Sequence, residues 1–395
     1  METINDRDNH KNGRCPRALM LASVASMIDL FNTENIKILM KLGCKIDVAA
    51  NFQHGSITSQ RRVDEYKNEL LSQNIQVYDV PIPRSIFHVS DIIRSYRMIK
   101  SIVDDNYYDI VHCHSPIGGV IARLACRGAR KRGTKIVYTG HGLHFYKGAP
   151  VKNWLLFYPI ERLCAHYTDV IIAINQEDYE REKSWRCCNV EYVPGVGVNT
   201  DEFQIANVSR SELRNQFGFA DDDFVFMSTG QISVRKNHAV IIRALEKIRN
   251  EHVKYLIVGF GELENHLKGI VEDLKLSKRV VFAGYRGDVR NLLHAVDGFA
   301  FPSLQEGLPV ALMEAMAVGL PVVCSRIRGN VDLIENGKGG FLYGCRDVDG
   351  FAQGMQEIAI GECAQLMSEI NKETMKRFDI SVVNKVMERI YSDLL

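Results

Sequence analysis

Short, nearly all-apolar runs rich in β-branched residues alternate along the chain with longer stretches that repeat every three to four residues. In the first half the runs are Ala18 to Ala22, Lys45 to Ala50, Ile75 to Val80, Asp109 to His112, Lys135 to Thr139, Asp169 to Ile174 and Val190 to Val193. Between them one helical face carries Ile36, Leu39 and Met40 and stops at Gly43, and another carries Ile92, Ile93, Tyr96, Ile99 and Ile102. The alternation restarts with Phe224 to Ser228, Tyr255 to Val258, Val280 to Phe282, Gly298 to Phe301 and Pro321 to Cys324. Strands apolar on both faces belong in parallel sheets covered by helices.

The pattern predicts an α/β chain of two doubly wound, Rossmann-like domains. Residues 1–16 form a polar extension, 17–194 the first domain, 195–200 a Gly-rich hinge (Gly195-Val196-Gly197-Val198-Asn199) and 201–375 the second domain. Residues 376–395 form a helix that crosses back to the first domain, with Val383, Val386, Ile390 and Leu394 on one face. Such sheets bind ligands beyond the carboxyl ends of their strands, so the expected site is a cleft where two such edges face each other.

With 395 residues, 46% hydrophobic and 25% charged, the chain reads as a folded globular protein. The polar start lacks the apolar core of a secretory signal, and the longest apolar runs fall far short of the ~20 residues a membrane span needs. The expected location is the cytoplasm or the inner face of the membrane. The 10 cysteines are mostly single and set in apolar runs, which is structural usage rather than a disulfide framework or metal set. Net charge is +1, but residues 84–152 hold 12 basic and 4 acidic side chains, densest at Arg127-Gly128-Ala129-Arg130-Lys131-Arg132. This stretch reads either as a solvated helix end or as a surface for an anionic membrane or a diphosphate-bearing acceptor. Nothing accompanies it that suggests nucleic acid.

The chemistry concentrates in the second half, where a buried strand ending at Phe301 runs into Pro302-Ser303-Leu304-Gln305-Glu306-Gly307-Leu308-Pro309 and then a helical Val310 to Met316. Pro309 suits the first helical position, and free amides at that helix start suit a phosphate. Glu306 and Glu314 can border one pocket, because carboxylates accept two hydrogen bonds from vicinal hydroxyls. Three further strand ends lead into loops: Thr229-Gly230-Gln231-Ile232-Ser233-Val234-Arg235-Lys236, Val258-Gly259-Phe260-Gly261 and Ala283-Gly284-Tyr285-Arg286-Gly287-Asp288. Capping for Glu306 and solvation for Glu314 are the plainer alternatives for each glutamate alone.

Taken together these residues resemble glycosyltransferase family 4, retaining GT-B enzymes that use nucleotide sugars. The glutamates eight apart around Gly307-Leu308-Pro309 carry the likeness, with Lys236. It implies that Glu306 meets the donor hexose, Glu314 the ribose, and Lys236 the diphosphate. The loop Gly307, Leu308, Pro309 and Val310 would surround sugar and phosphates, with Gly230 beside it, and Tyr285 and Arg286 would line the base. Gln231 stands where the family usually has arginine, leaving Arg235 as the candidate replacement.

In the first half, His112-Cys113-His114-Ser115-Pro116 and Tyr138-Thr139-Gly140-His141-Gly142-Leu143-His144 end successive strands. No carboxylate or thiol completes a metal set, so His141 is read as a catalytic residue donating to developing charge, with Gly142 and His114 on the acceptor side; a plain core or loop histidine is the alternative for His112, His114 and His144. His112 to Pro150, Tyr158-Pro159-Ile160-Glu161-Arg162 and Ile174-Asn175-Gln176-Glu177-Asp178 narrow the resemblance to enzymes of bacterial exopolysaccharide, capsule and lipopolysaccharide synthesis. The first loop departs from it: Ser23-Val24-Ala25-Ser26-Met27-Ile28-Asp29 lacks the usual glycines.

The expected reaction is transfer of a hexosyl or N-acetylhexosaminyl unit from a UDP-sugar, or another nucleotide sugar, to a glycan or polyprenyl-diphosphate-linked acceptor. No cofactor or metal is expected; Asp221-Asp222-Asp223 and Asp347-Val348-Asp349 read as solvated turns. Two alternatives remain: a UDP-sugar 2-epimerase of the same fold, which needs acid–base carboxylates in the first domain, and an inactive assembly partner, which Gln231 would favour.

Overall fold

A computed structural model describes residues 14–395 except 187, 207 and 362. The polar extension therefore lies outside the described residues apart from positions 14–16, as does Cys187. The chain divides into two compact units, one running to Val193 and taking in Asn384–Leu395, the other Pro194–Val383.

The first unit holds seven parallel strands: β1 (Arg17–Val24), β2 (Lys45–Asn51), β3 (Gln76–Asp79), β4 (Ile110–His114), β5 (Lys135–Gly140), β6 (Val170–Ala173) and β7 (Asn189–Tyr192). Their order is β3-β2-β1-β4-β5-β6-β7, so the winding reverses between β1 and β4. Leu19, Val111, Ile136 and Ile171 are fully buried along these strands. No glycine loop follows β1, which passes directly into the helix Ala25–Phe31. The chain's last twelve residues complete this unit: Tyr391 of the helix Ile380–Ser392 is fully buried, and its hydroxyl lies 2.7 Å from Nδ1 of His112. Beneath the sheet Arg123 and Glu161 form a buried ion pair at 2.6 Å, the guanidinium 3.8 Å from the centre of the Tyr138 ring. Glu161 thereby helps hold the helix Val151–Ala165.

The second unit has six parallel strands: β8 (Phe224–Thr229), β9 (Val253–Val258), β10 (Val280–Gly284), β11 (Gly298–Phe301), β12 (Val322–Ser325) and β13 (Gly340–Tyr343). Their order, β10-β9-β8-β11-β12-β13, puts the reversal between β8 and β11. These neighbours lie close because Gly298 has no side chain; a Cβ there would come within 2.6 Å of the Phe226 ring.

Several expectations need correction. β13 was not expected, because it follows a Gly-rich turn and alternates buried and half-exposed positions, as an edge strand does. β4 continues past His112 to His114. Met40 does not share the buried face of Ile36 and Leu39 but is 42% exposed. The segment read as a hinge packs onto the second unit: Gly195 and Gly197 both take positive φ, and a Cβ on them would meet Leu308 and Ile380. The C-terminal boundary falls within the last helix, not at residue 376.

Candidate functional site

In the second unit the predicted loops gather at the reversal point between β8 and β11. After β8 the chain makes a short turn, Val234–Lys236, and enters the helix His238–Lys247. After β11 it runs through Pro302 to Pro309 into the helix Val310–Val318. Pro309 is the residue before that helix, with extended backbone angles, rather than its first turn. Two backbone ties lock the loops together: Leu304 N donates to Arg235 O at 2.8 Å, and Asn237 Nδ2 donates to Pro302 O at 3.0 Å.

The functional side chains meet there. Lys236 Nζ lies 2.9 Å from Glu306 Oε1, and Arg235 Nη1 lies 2.8 Å from the same oxygen. Gly230 makes room, since a Cβ on it would touch Lys236 Cε at 3.0 Å, and Lys236 also sits 4.6 Å over the Phe301 ring. Burial raises the Glu306 pKa, but Lys236 and then Arg235 outweigh this and hold the carboxyl below its usual range. Burial lowers the Lys236 pKa, and Glu306 only partly counters it. The result is an ionised carboxylate between two cations, either of which can exchange that acceptor for another.

Glu314 differs. It is part-buried in the fifth position of its helix, makes no hydrogen bond among the described residues, and burial pushes its pKa up to about 7. An uncompensated buried carboxylate is costly unless a ligand hydroxyl supplies its hydrogen bonds.

Gln231 is exposed and points to Glu262, with Nε2 to Oε2 at 3.4 Å, so it does not join Lys236. Arg235 takes the second cationic place instead. Arg286 is engaged within its own loop by two hydrogen bonds to Asp288, at 2.8 and 2.6 Å. Tyr285 is 76% exposed and stands edge-on to Phe260, itself 57% exposed. Phe260 was not expected at the site; the glycines on either side of it mark only a strand-to-loop turn. Those glycines serve packing: a Cβ on Gly259 would lie 1.9 Å from Gly230 O, and one on Gly261 2.2 Å from Ile232 O.

Sequence reasoning also missed the loop after β12. Arg328 Nε donates to Glu306 O at 3.0 Å, and Gly329, at φ +78°, fits because a Cβ would lie 2.2 Å from Gly307 O. The signal was available, as another strand-to-helix glycine turn at Arg328-Gly329-Asn330.

In the first unit, His112 and His114 lie on one face of β4 with ring centres 4.1 Å apart. His112 is held by Tyr391 and by Thr139 Oγ1 at 2.7 Å. His114 is wholly buried, so its expected acceptor contact is corrected: it backs His141 instead, with Nδ1 3.2 Å from His141 Nε2. Gly142, at φ +110°, turns the chain directly after. A cavity of about 470 Å³ opens at the reversal point, lined among others by Ser23, Met27, Arg84, Ile86, Ser115 and His144.

The acidic turns are not simply solvated. Asp223 is buried, accepts from Ala220 N and pairs with Lys254, while Asp347 caps the helix Val348–Ile360. Among the described residues, one group, Asp222, Asp223 and His252, brings metal-ligand atoms together. It precedes β8 and β9, at the sheet edge away from Lys236 and Glu306.

Comparison with known proteins identifies the family and the fold. Residues 209–377 match the model of glycosyl transferases group 1, and residues 52–175 that of the glycosyl transferase 4-like family. The chain is 34% identical over 382 residues to the putative glycosyltransferase EpsD of Bacillus subtilis, covering 95% of this chain and 96% of EpsD. It is 31% identical over 315 residues to the UDP-Gal:alpha-D-GlcNAc-diphosphoundecaprenol alpha-1,3-galactosyltransferase of Escherichia coli, covering 76% and 79%. The fold is similar to that of Anabaena HepE, solved with UDP, at a TM-score of 0.74 and 20% identity over 96% of this chain and 100% of that one. Sucrose-phosphate synthase from Thermosynechococcus elongatus gives 0.75 at 17% identity, over 96% and 99%. The chain belongs to the family 4, group 1 glycosyltransferases of the GT-B fold.

Proposed function

We propose that this glycosyltransferase moves a hexosyl or N-acetylhexosaminyl unit from a UDP-sugar to a polyprenyl-diphosphate-linked glycan, with retention, during assembly of a bacterial surface polysaccharide. The observation that carries the donor half is the cluster at the β8/β11 reversal: Lys236, Arg235 and Glu306 together, with Glu314 unpartnered. In this reading Lys236, Arg235 and the amides of Gly307, Leu308 and Val310 receive the diphosphate, Glu306 the sugar, and Glu314 the ribose. Tyr285 and Phe260 border the base. Negative charge building on the departing diphosphate is met by these cations and by the start of the helix Val310–Val318, without a metal. His141 is the residue that the family likeness puts beside the transferred sugar.

The acceptor half rests on the first unit. Its 470 Å³ cavity combines Arg84, suited to a diphosphate, with apolar Met27 and Ile86, suited to a polyprenyl chain. Beyond it, Phe87, Val151, Leu155 and Leu163 are 85%, 72%, 75% and 55% exposed, with Lys152 and Arg162 among them. Apolar side chains edged by basic ones fit an anionic membrane surface. This replaces the Arg127 to Arg132 run as the membrane candidate, since Arg130 is paired with Asp169 and Arg132 with Asp104. No helix among the described residues is long and apolar enough to cross a membrane.

The test is incubation with UDP-hexoses and UDP-N-acetylhexosamines plus a polyprenyl-diphosphate N-acetylhexosaminide, following UDP release and the lengthened lipid by mass spectrometry, with the anomeric configuration read by NMR. Transfer only to free sugars would overturn the acceptor reading. Epimerisation of the donor without transfer would overturn the whole. Flotation with phosphatidylglycerol vesicles, lost on Leu155→Glu with Phe87→Glu, tests the membrane surface.

A further inference from the structure

Three imidazoles run from the core of the first unit toward the loop after β5: His112, His114 and His141. Burial is the first cause that keeps all of them neutral, His112 down to about 3, His141 to about 4, and His114 well below its ordinary value. A neutral imidazole carries one N–H and one lone pair, so its two nitrogens cannot both donate or both accept.

The identity of one neighbour then settles the direction of the row. His114 Nε2 faces the sulfur of Met20 at 3.2 Å, and both residues are fully buried. A thioether has no hydrogen to give and can only accept. Two lone pairs pointed at each other in the core would leave both groups unsatisfied, so the His114 proton must sit on Nε2. His114 Nδ1 is then a lone pair. It lies 3.2 Å from His141 Nε2, which must therefore carry the His141 proton and donate it inward. The remaining nitrogen of His141, Nδ1, is left as a lone pair without a partner among the described residues.

We infer that Met20 and His114 are positioning residues that fix His141 as the Nε2–H tautomer, so that His141 offers the donor sugar an acceptor rather than a proton. This rests on the proposed place of His141 beside the transferred sugar. It changes what His141 does there. An unprotonated Nδ1 takes a hydrogen bond from a hexose hydroxyl and orients the neutral sugar; it contributes nothing to the leaving diphosphate's negative charge, which is left to Lys236 and Arg235. The inward N–H also makes ring rotation costly, since a flip would replace it with Cε1–H and leave the buried His114 lone pair without a donor.

The experiment is long-range 1H–15N NMR on histidine-labelled full-length protein without donor, which reads each ring's tautomer whether or not transfer occurs. The expected spectrum of the native protein has His114 and His141 each as a single Nε2–H form. The isosteric Met20→Leu removes the acceptor and keeps the volume, so both rings should then become tautomer mixtures while the fold, monitored by backbone amide shifts, is retained. A protonated Nδ1 on His141 in the native protein, or an unchanged pattern in Met20→Leu, would overturn the inference. Kinetics supply the second readout. Asn at position 141 can place an oxygen near the lost Nδ1, whereas Gln reaches only toward Nε2. His141→Asn should keep kcat/KM roughly tenfold above His141→Gln, equivalent to about one hydrogen bond. If the tautomers are as expected but neither variant affects transfer, the placing of His141 at the sugar fails and the tautomer assignment stands.

Discussion

Lys236 and Glu306 stand 2.9 Å apart on loops that leave neighbouring strands on either side of the reversal point in the second sheet. Both side chains are 11% exposed, so each charge depends on the other for what water would otherwise supply. Removing one should leave the other buried and unpaired. We expect Lys236→Met and Glu306→Gln each to destabilise the protein by roughly 1–3 kcal/mol. The double variant should be less destabilised than the sum of the two, as read by urea unfolding in a double-mutant cycle. The two should differ in donor chemistry. Lys236→Met removes a charge that acts as the diphosphate departs, and should lower kcat by about 100-fold or more.

Glu314 predicts a pH dependence of opposite sign for stability and for donor use. Its folded pKa, about 7, is above the ordinary carboxyl value because burial disfavours the ion. Between about pH 4.5 and 7 the folded state therefore holds a proton that the unfolded state has lost, and stability falls as pH rises through that window. Glu314→Gln should remove this loss and be more stable than the native protein at pH 8 by roughly 1–3 kcal/mol. Donor affinity should behave conversely, rising in the native protein as Glu314 ionises and becoming flat and weaker in the variant. Calorimetric titration with UDP across pH 5.5–8.5 checks both limbs.

Tyr391 links the end of the chain to the first sheet. Its hydroxyl is the partner of the buried His112 Nδ1, so Tyr391→Phe should strand that nitrogen and cost about 1–3 kcal/mol in thermal unfolding, with little change in KM for the donor. A variant ending at residue 383 exposes the same surface and should lose the first unit's cooperative transition.

If the diphosphate is met by Lys236, Arg235 and helix amides, dialysis against EDTA should leave the transfer rate unchanged, and Arg235→Gln should raise KM for the donor without abolishing turnover. Activity restored only by added divalent cation would remove this account of the leaving group.

The site loops illustrate how much could be read without coordinates. Glu306, Glu314 and Lys236 were legible because strand-to-helix turns have strong local signatures: a β-branched run, a glycine or proline, then an apolar helix. Arg328 and Gly329 obey the same grammar but were missed, since what they support is a carbonyl of a different loop. Gly259 and Gly261 show the reverse. Their spacing marks a strand-to-loop turn and nothing more, whereas they relieve contact with Gly230 and Ile232, a requirement no local pattern encodes.

The sequence by itself determined two wound α/β units, the family, and the glutamates, lysine and histidine on which the reading rests. Alternating apolar periodicity and turn chemistry are local properties, expressed in consecutive residues. Only the tertiary structure decided that Arg235 rather than Gln231 joins Lys236, that His114 is buried behind His141, and that the last twelve residues complete the first unit. Each of these is a matter of partners distant in the chain. A hydrogen bond between His112 and Tyr391 spans 279 residues, and burial, protonation and tautomer all follow from neighbours that only folding brings together.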